Sequence, residues 1–178
     1  MNSSALAARF VSGPHITASS TAEQRLKDWL AELEPQQTAE IGAWLDRPPA
    51  RAILLGIADF SPYLFDLARA DATRLIRLLA CDPEPHLTSL IENTARDVLA
   101  AASEADVMQL LRRMKSEAAL LIALCDIGGV WPVMQVTAAL TDLAVNSVQA
   151  ALRFLLRQEV ARGRMTAVDQ DRPEEAQA

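Results

Sequence analysis

Between Leu110 and Leu156 the chain reads LLRRMKSEAALLIALCDIGGVWPVMQVTAALTDLAVNSVQAALRFLL, two Leu- and Ala-rich stretches separated by Gly128-Gly129 and Pro132. Val107, Leu110, Leu111, Met114, Ala118, Leu121, Ile122 and Cys125 recur at helical spacing before the glycines. After them the stripe is Val133, Val136, Leu140, Leu143, Ser147, Ala151 and Leu155. A period near 3.6 predicts helices on both sides, over 105–126 and 132–161. Ser103 with Asp106 makes a capping-box-like start to the first, paired glycines stop it, and Pro132 suits the first turn of the second. A short link between two long helices makes an antiparallel hairpin.

The upstream sequence has the same period in shorter pieces. Leu26, Trp29, Leu30 and Leu33 predict a helix from about Thr21, whose hydroxyl can cap it. A second, opened by Pro35, carries Ile41, Trp44 and Leu45 and stops before Pro48-Pro49; a third runs over 50–58. Ser61-Pro62 and Asp71 cap the next two, Asp82-Pro83-Glu84-Pro85 is expected as a turn, and 86–102 forms a further helix. No period-2 strand and no internal repeat is seen. The expectation is an all-α bundle of about eight helices ending in the long hairpin. Residues 1–20 are expected as a poorly ordered arm, 21–163 as the helical domain, and 164–178 as an acidic, solvated linker or tail.

Composition agrees, because 51% of the residues are hydrophobic while only 4% are aromatic, which suits close helix packing better than strands. Seventeen basic against twenty-three acidic residues give a net charge of −6, a field that repels nucleic-acid backbones and anionic lipid. No apolar run approaches the roughly 20 residues that cross a bilayer, and no signal-peptide pattern opens the chain. Cys81 and Cys125 lie in apolar helical patterns without a CxxC spacing, and read as buried reduced thiols in a cytoplasmic protein.

Catalytic fingerprints are missing. There is no GxSxG elbow, P-loop or GxGxxG, and His15 and His86 have no ligating spacing, so no catalytic, cofactor-binding or metal residue is assigned. Asp169-Gln170-Asp171 has the spacing of a metal-binding pair but neither a preceding strand nor a Gly-Ser loop, and reads as solvated tail. Arg112, Arg113 and Lys115 form the one tight basic cluster. Beside Glu104, Asp106 and Glu117 they make either a solvated, salt-bridged face or a set of cations aimed at an anionic partner. Asp126 lies at a helix C-terminus, where the dipole disfavours a carboxylate. It is expected to have a partner, Arg112, Arg113 or a backbone amide, as a structural tie or as support for a neighbouring active site.

The segments LRRMKSEAALLIALCDIGGVW and VTAALTDLA, with Ser61-Pro62-Tyr63-Leu64 and the later Arg74, Leu75 and Leu79, resemble the N-terminal helical part of bifunctional glutamine synthetase adenylyltransferase/adenylyl-removing enzymes. The resemblance covers roughly residues 59–164. It implies a role beside a nucleotidyltransferase core that uses ATP and Mg²⁺, with glutamine synthetase and the PII signalling protein as partners. In that family a glycine-opened loop is expected after Pro173-Glu174-Glu175, where this chain has Ala176-Gln177-Ala178. Asn146 also stands where an acidic residue is expected after TDLA. The expectation is therefore a truncated or split helical part, inactive by itself. The alternative is a free-standing helical interaction module.

Overall fold

A computed structural model describes residues 4–16 and 19–166, and the described residues form nine helices and no strand. They are α1 (Leu6–Arg9), α2 (Ser19–Glu32), α3 (Pro35–Leu45), α4 (Pro48–Phe60), α5 (Pro62–Ala70), α6 (Ala72–Ala80), α7 (Pro83–Ala100), α8 (Glu104–Ile127) and α9 (Val133–Ala161). The all-α expectation holds. So do the expected caps: the Ser61 hydroxyl accepts the Leu64 N–H, Asp71 accepts the Arg74 N–H at 2.8 Å, and Ser103 accepts the Asp106 N–H at 3.2 Å. Each satisfies a donor that the first helical turn leaves open.

Prolines set the boundaries that periodicity misplaces. The third expected helix starts at Pro48 rather than Ala50, and the expected turn over 82–85 is instead the start of α7, with Pro83 in its first turn. A proline there has the φ a helix needs and lacks only an N–H that would have no intrahelical partner. Glu84 thereby becomes a first-turn residue. The first long helix begins at Ser19, so Thr21 lies inside it.

Both ends of the hairpin close alike. After α8, Gly129 takes φ +64°, its N–H reaches the Asp126 carbonyl at 3.0 Å, and the Val130 N–H reaches Cys125 at 2.8 Å. After α9, Gly163 takes φ +70°, with matching bonds from Gly163 to Val160 and from Arg164 to Glu159. This left-handed reversal satisfies the last carbonyls and favours glycine.

The expected disordered arm needs correction in its described part. Leu6 is fully buried, Ala5, Ala7 and Phe10 are buried with it, and backbone bonds run from Leu6 to Cys81 at 2.7 Å and from Val11 to Gly128 at 2.9 Å. Phe10 lies so close to Gly128 that a Cβ there would collide with its ring. Six residues are too few for periodicity to show, yet they cover the place where α6 meets α7 and α8 turns into α9. Arg164, Met165 and Thr166 of the expected tail are exposed; 167–178, with Asp169 and Asp171, lie outside the described residues.

The main core joins α1–α6 to α8 and the start of α9 through Leu26, Ile41, Ile53, Leu75, Leu79, Leu121 and Leu124; a smaller cluster of Val98, Val107, Ala150 and Phe154 ties α7 and α8 to the far half of α9. The expected α9 stripe is half right. Val136 and Leu143 are buried, but the seam continues through Ala139, Ala150 and Phe154, while Val133, Leu140 and Leu155 are exposed. Among the described residues no helix is long and apolar enough to cross a membrane.

Candidate functional site

The sequence-predicted residues do not converge. Arg112, Arg113 and Lys115 are exposed on the middle of α8. Arg112 and Arg113 line a shallow groove with Arg74, Gln109 and Ser116, whereas Lys115 stands outside its lining. Arg74 donates Nη2 to the Leu67 carbonyl, and its Nε is buried without a hydrogen-bond partner among the described residues. Glu117, expected to offset this cluster, instead accepts Arg77 of α6 at 2.6 Å and His86 of α7 at 2.7 Å. Burial raises the Glu117 carboxyl, and these two bonds more than reverse the rise, leaving it below the ordinary value.

Asp126 is exposed at the end of α8 and makes no side-chain ion pair among the described residues. Arg112 is fourteen positions back on the same helix, about 21 Å along its axis, so it cannot be the expected partner.

The densest polar constellation is one the sequence did not single out. Glu84, in the first turn of α7, accepts from Nη1 and Nη2 of Arg9 at 2.5 and 2.7 Å and from the Trp131 indole N–H at 2.6 Å. Gln135 of α9 reaches the same oxygen at 3.5 Å, and Asp82 lies 3.4 Å from Arg9. The bidentate Arg9 bonds, with Trp131 adding to them, hold the Glu84 carboxyl down at about 2. Asp82 is pushed the other way, first through its hydrogen bond to Glu84. One carboxylate thus ties the N-terminal segment, α7, the α8–α9 turn and α9 together. The signal that could have found it is Pro-Glu-Pro, which places an acid at a helix N-terminus, where the dipole favours it.

Burial disfavours ionisation of both thiols. Burial raises the Cys81 thiol to about 11 and the more deeply buried Cys125 thiol further still. Among the described residues no group of three or more His, Cys, Asp or Glu side chains stands together to hold a metal ion. What the polar residues do here is lock helices to one another.

Fold and polar ties together define an all-α module held by buried Leu and Ala contacts and a few charge-assisted latches. Comparison with known proteins narrows this: the family model described as glutamate-ammonia ligase adenylyltransferase matches residues 52–178, and the chain belongs to that family. A bifunctional glutamine synthetase adenylyltransferase/adenylyl-removing enzyme of Bradyrhizobium sp. (strain ORS 278) is 67% identical over 171 residues, 96% of this chain and 17% of the relative. Proteins of the same description from Rhodopseudomonas palustris (strain HaA2) and Xanthobacter autotrophicus (strain ATCC BAA-1158 / Py2) are 58% and 47% identical over 96% and 88% of the chain, and over 17% and 16% of their own lengths. The chain thus spans about one sixth of the curated relatives it matches. No solved structure gives a significant match.

Proposed function

We propose that this chain serves as the N-terminal helical part of an enzyme that adenylylates and deadenylylates glutamine synthetase, and that it supports the chemistry without performing it. The observation that carries the reading is the 67% identity over 96% of the chain to one sixth of a relative so described. ATP and Mg²⁺ belong to the remaining nucleotidyltransferase part, because the described residues offer neither a rigid carboxylate set for the metal nor a glycine-rich cradle for phosphates. Glutamine synthetase and the PII signalling protein are the partners, and the cytoplasm is the place of action. The groove of Arg74, Arg112 and Arg113 is a face suited to an anionic group on one of these partners, being a basic spot on a chain with net charge −6.

Two measurements test this. The 178-residue chain mixed with ATP, Mg²⁺ and glutamine synthetase transfers no AMP; turnover by this polypeptide overturns its supporting role. A chimera in which the chain replaces the matched stretch of the Bradyrhizobium sp. (strain ORS 278) relative transfers AMP at a rate within about threefold of that relative. A folded chimera without transfer points instead to a free-standing interaction module, the second reading, which the exposed apolar side of α9 favours.

A further inference from the structure

α9 has two apolar faces and the bundle covers one. Val136, Ala139, Leu143, Ala150 and Phe154 form the buried seam. On the other side Val133, Met134, Leu140, Val145, Val148, Leu152 and Leu155 are solvent-exposed, Val133 at 71%, Met134 at 75% and Val148 at 67%. At 100° per residue these seven fall within an arc of about 140°, and Thr137, Thr141 and Ala144 fill the gaps. Between Val133 and Leu156 the only charged residues are Asp142 and Arg153, and both project between the faces rather than onto the exposed one. A helix that needed only to cover this bundle would carry charge on its outer side.

We propose that this outer face of α9 is the seat on which the remainder of the longer family polypeptide docks, in cis, through an apolar surface of its own. The inference rests on the reading of the chain as one part of such a polypeptide, and adds which surface joins the parts. Tethering decides between occupants. Separate copies must hold together by buried area alone, about 800 Å² on each side, with nothing to keep them near one another. A tethered surface meets it at an effective concentration in the millimolar range and needs far less area. The relatives carry more than four fifths of their length outside the matched stretch, which supplies such a surface.

The test labels a single introduced thiol. Val148→Cys in the 178-residue chain reacts with a maleimide at the rate of a free thiol, measured above the background that the half-buried Cys81 and buried Cys125 give in the unsubstituted chain. In the chimera with the Bradyrhizobium relative, labelling of the same variant slows at least tenfold, and adding Leu152→Asp restores it. Equal rates in chain and chimera overturn the proposal. So does protection in the isolated chain that is lost on dilution, which assigns the face to a second copy. AMP transfer by the unsubstituted chimera is read separately: transfer with free labelling removes only the docking face, and protection without transfer removes only the enzymatic reading.

Discussion

α8 and α9 have nearly the same apolar composition and opposite fates. From Ala118 to Cys125, α8 is enclosed on most sides, with Ala118, Leu120, Leu121 and Leu124 all fully buried, because α5, α7 and α9 pack against it and Arg77 of α6 is tied to it through Glu117. α9 is gripped along one seam and leaves seven large apolar residues in water. Composition therefore does not distinguish a core helix from a boundary helix; what differs is how many neighbours reach it. In α8 the hydrophobic residues hold the domain together. In α9 half of them are spare, and spare apolar surface in one continuous stripe marks a surface that another part covers.

The largest expected break of this contrast is Leu121→Ala. It removes a fully buried side chain from the middle of α8 and is expected to cost about 2–5 kcal/mol, read as a lower midpoint in urea unfolding. A cost under 1 kcal/mol would show that α8 is not the enclosed element. The same truncation at Leu140, 49% exposed on α9, is expected within about 0.5 kcal/mol of the parent, whereas at Leu143, 8% exposed and one turn on, it costs several times more.

Between these lies the latch that sets how α9 leaves the α8 turn. Glu84→Gln removes the charge that Arg9 and Trp131 share; with the pair 30% and 40% exposed, solvent screening limits the loss to about 1 kcal/mol near neutral pH. The sign of the pH dependence follows from the depressed carboxyl. Below its ordinary value the unfolded chain takes up a proton that the folded chain refuses until about pH 2, so the Glu84 contribution is present above pH 4.5 and fades as pH falls toward 2. Thermal unfolding across that window is expected to fall less steeply for Glu84→Gln than for the parent. Parallel curves would mean that the latch carries no net charge stabilisation.

Much of the architecture was legible because helices announce themselves locally. The Ser61, Asp71 and Ser103 caps, the Gly129 and Gly163 stops and the long hairpin are each fixed by residues within a turn of one another. The errors have a shared cause. Ala5 to Phe10 reads locally as loose arm, Asp82 to Pro85 as a turn and Val133, Leu140 and Leu155 as part of the apolar stripe, and in each case the deciding contact comes from far along the chain: Cys81 and Gly128 for the arm, Arg9 and Trp131 for Glu84, α7 and α8 for the seam. Arg112, Arg113, Lys115 and Asp126 were conspicuous by type and clustering, but the polar tie that organises the bundle is Glu84, whose partners are 75 and 47 positions away.

The sequence by itself determined that the chain is all helical and where most helices begin and end, since caps, prolines, glycines and apolar period act over a few residues; the family followed separately, from the resemblance of segments such as LRRMKSEAALLIALCDIGGVW. Only the tertiary structure decided which of the two apolar faces of α9 is buried, that the N-terminal segment is docked, and that Glu84 joins four elements. Those outcomes depend on burial against distant surfaces, and a period of 3.6 records that a face is apolar without recording what covers it.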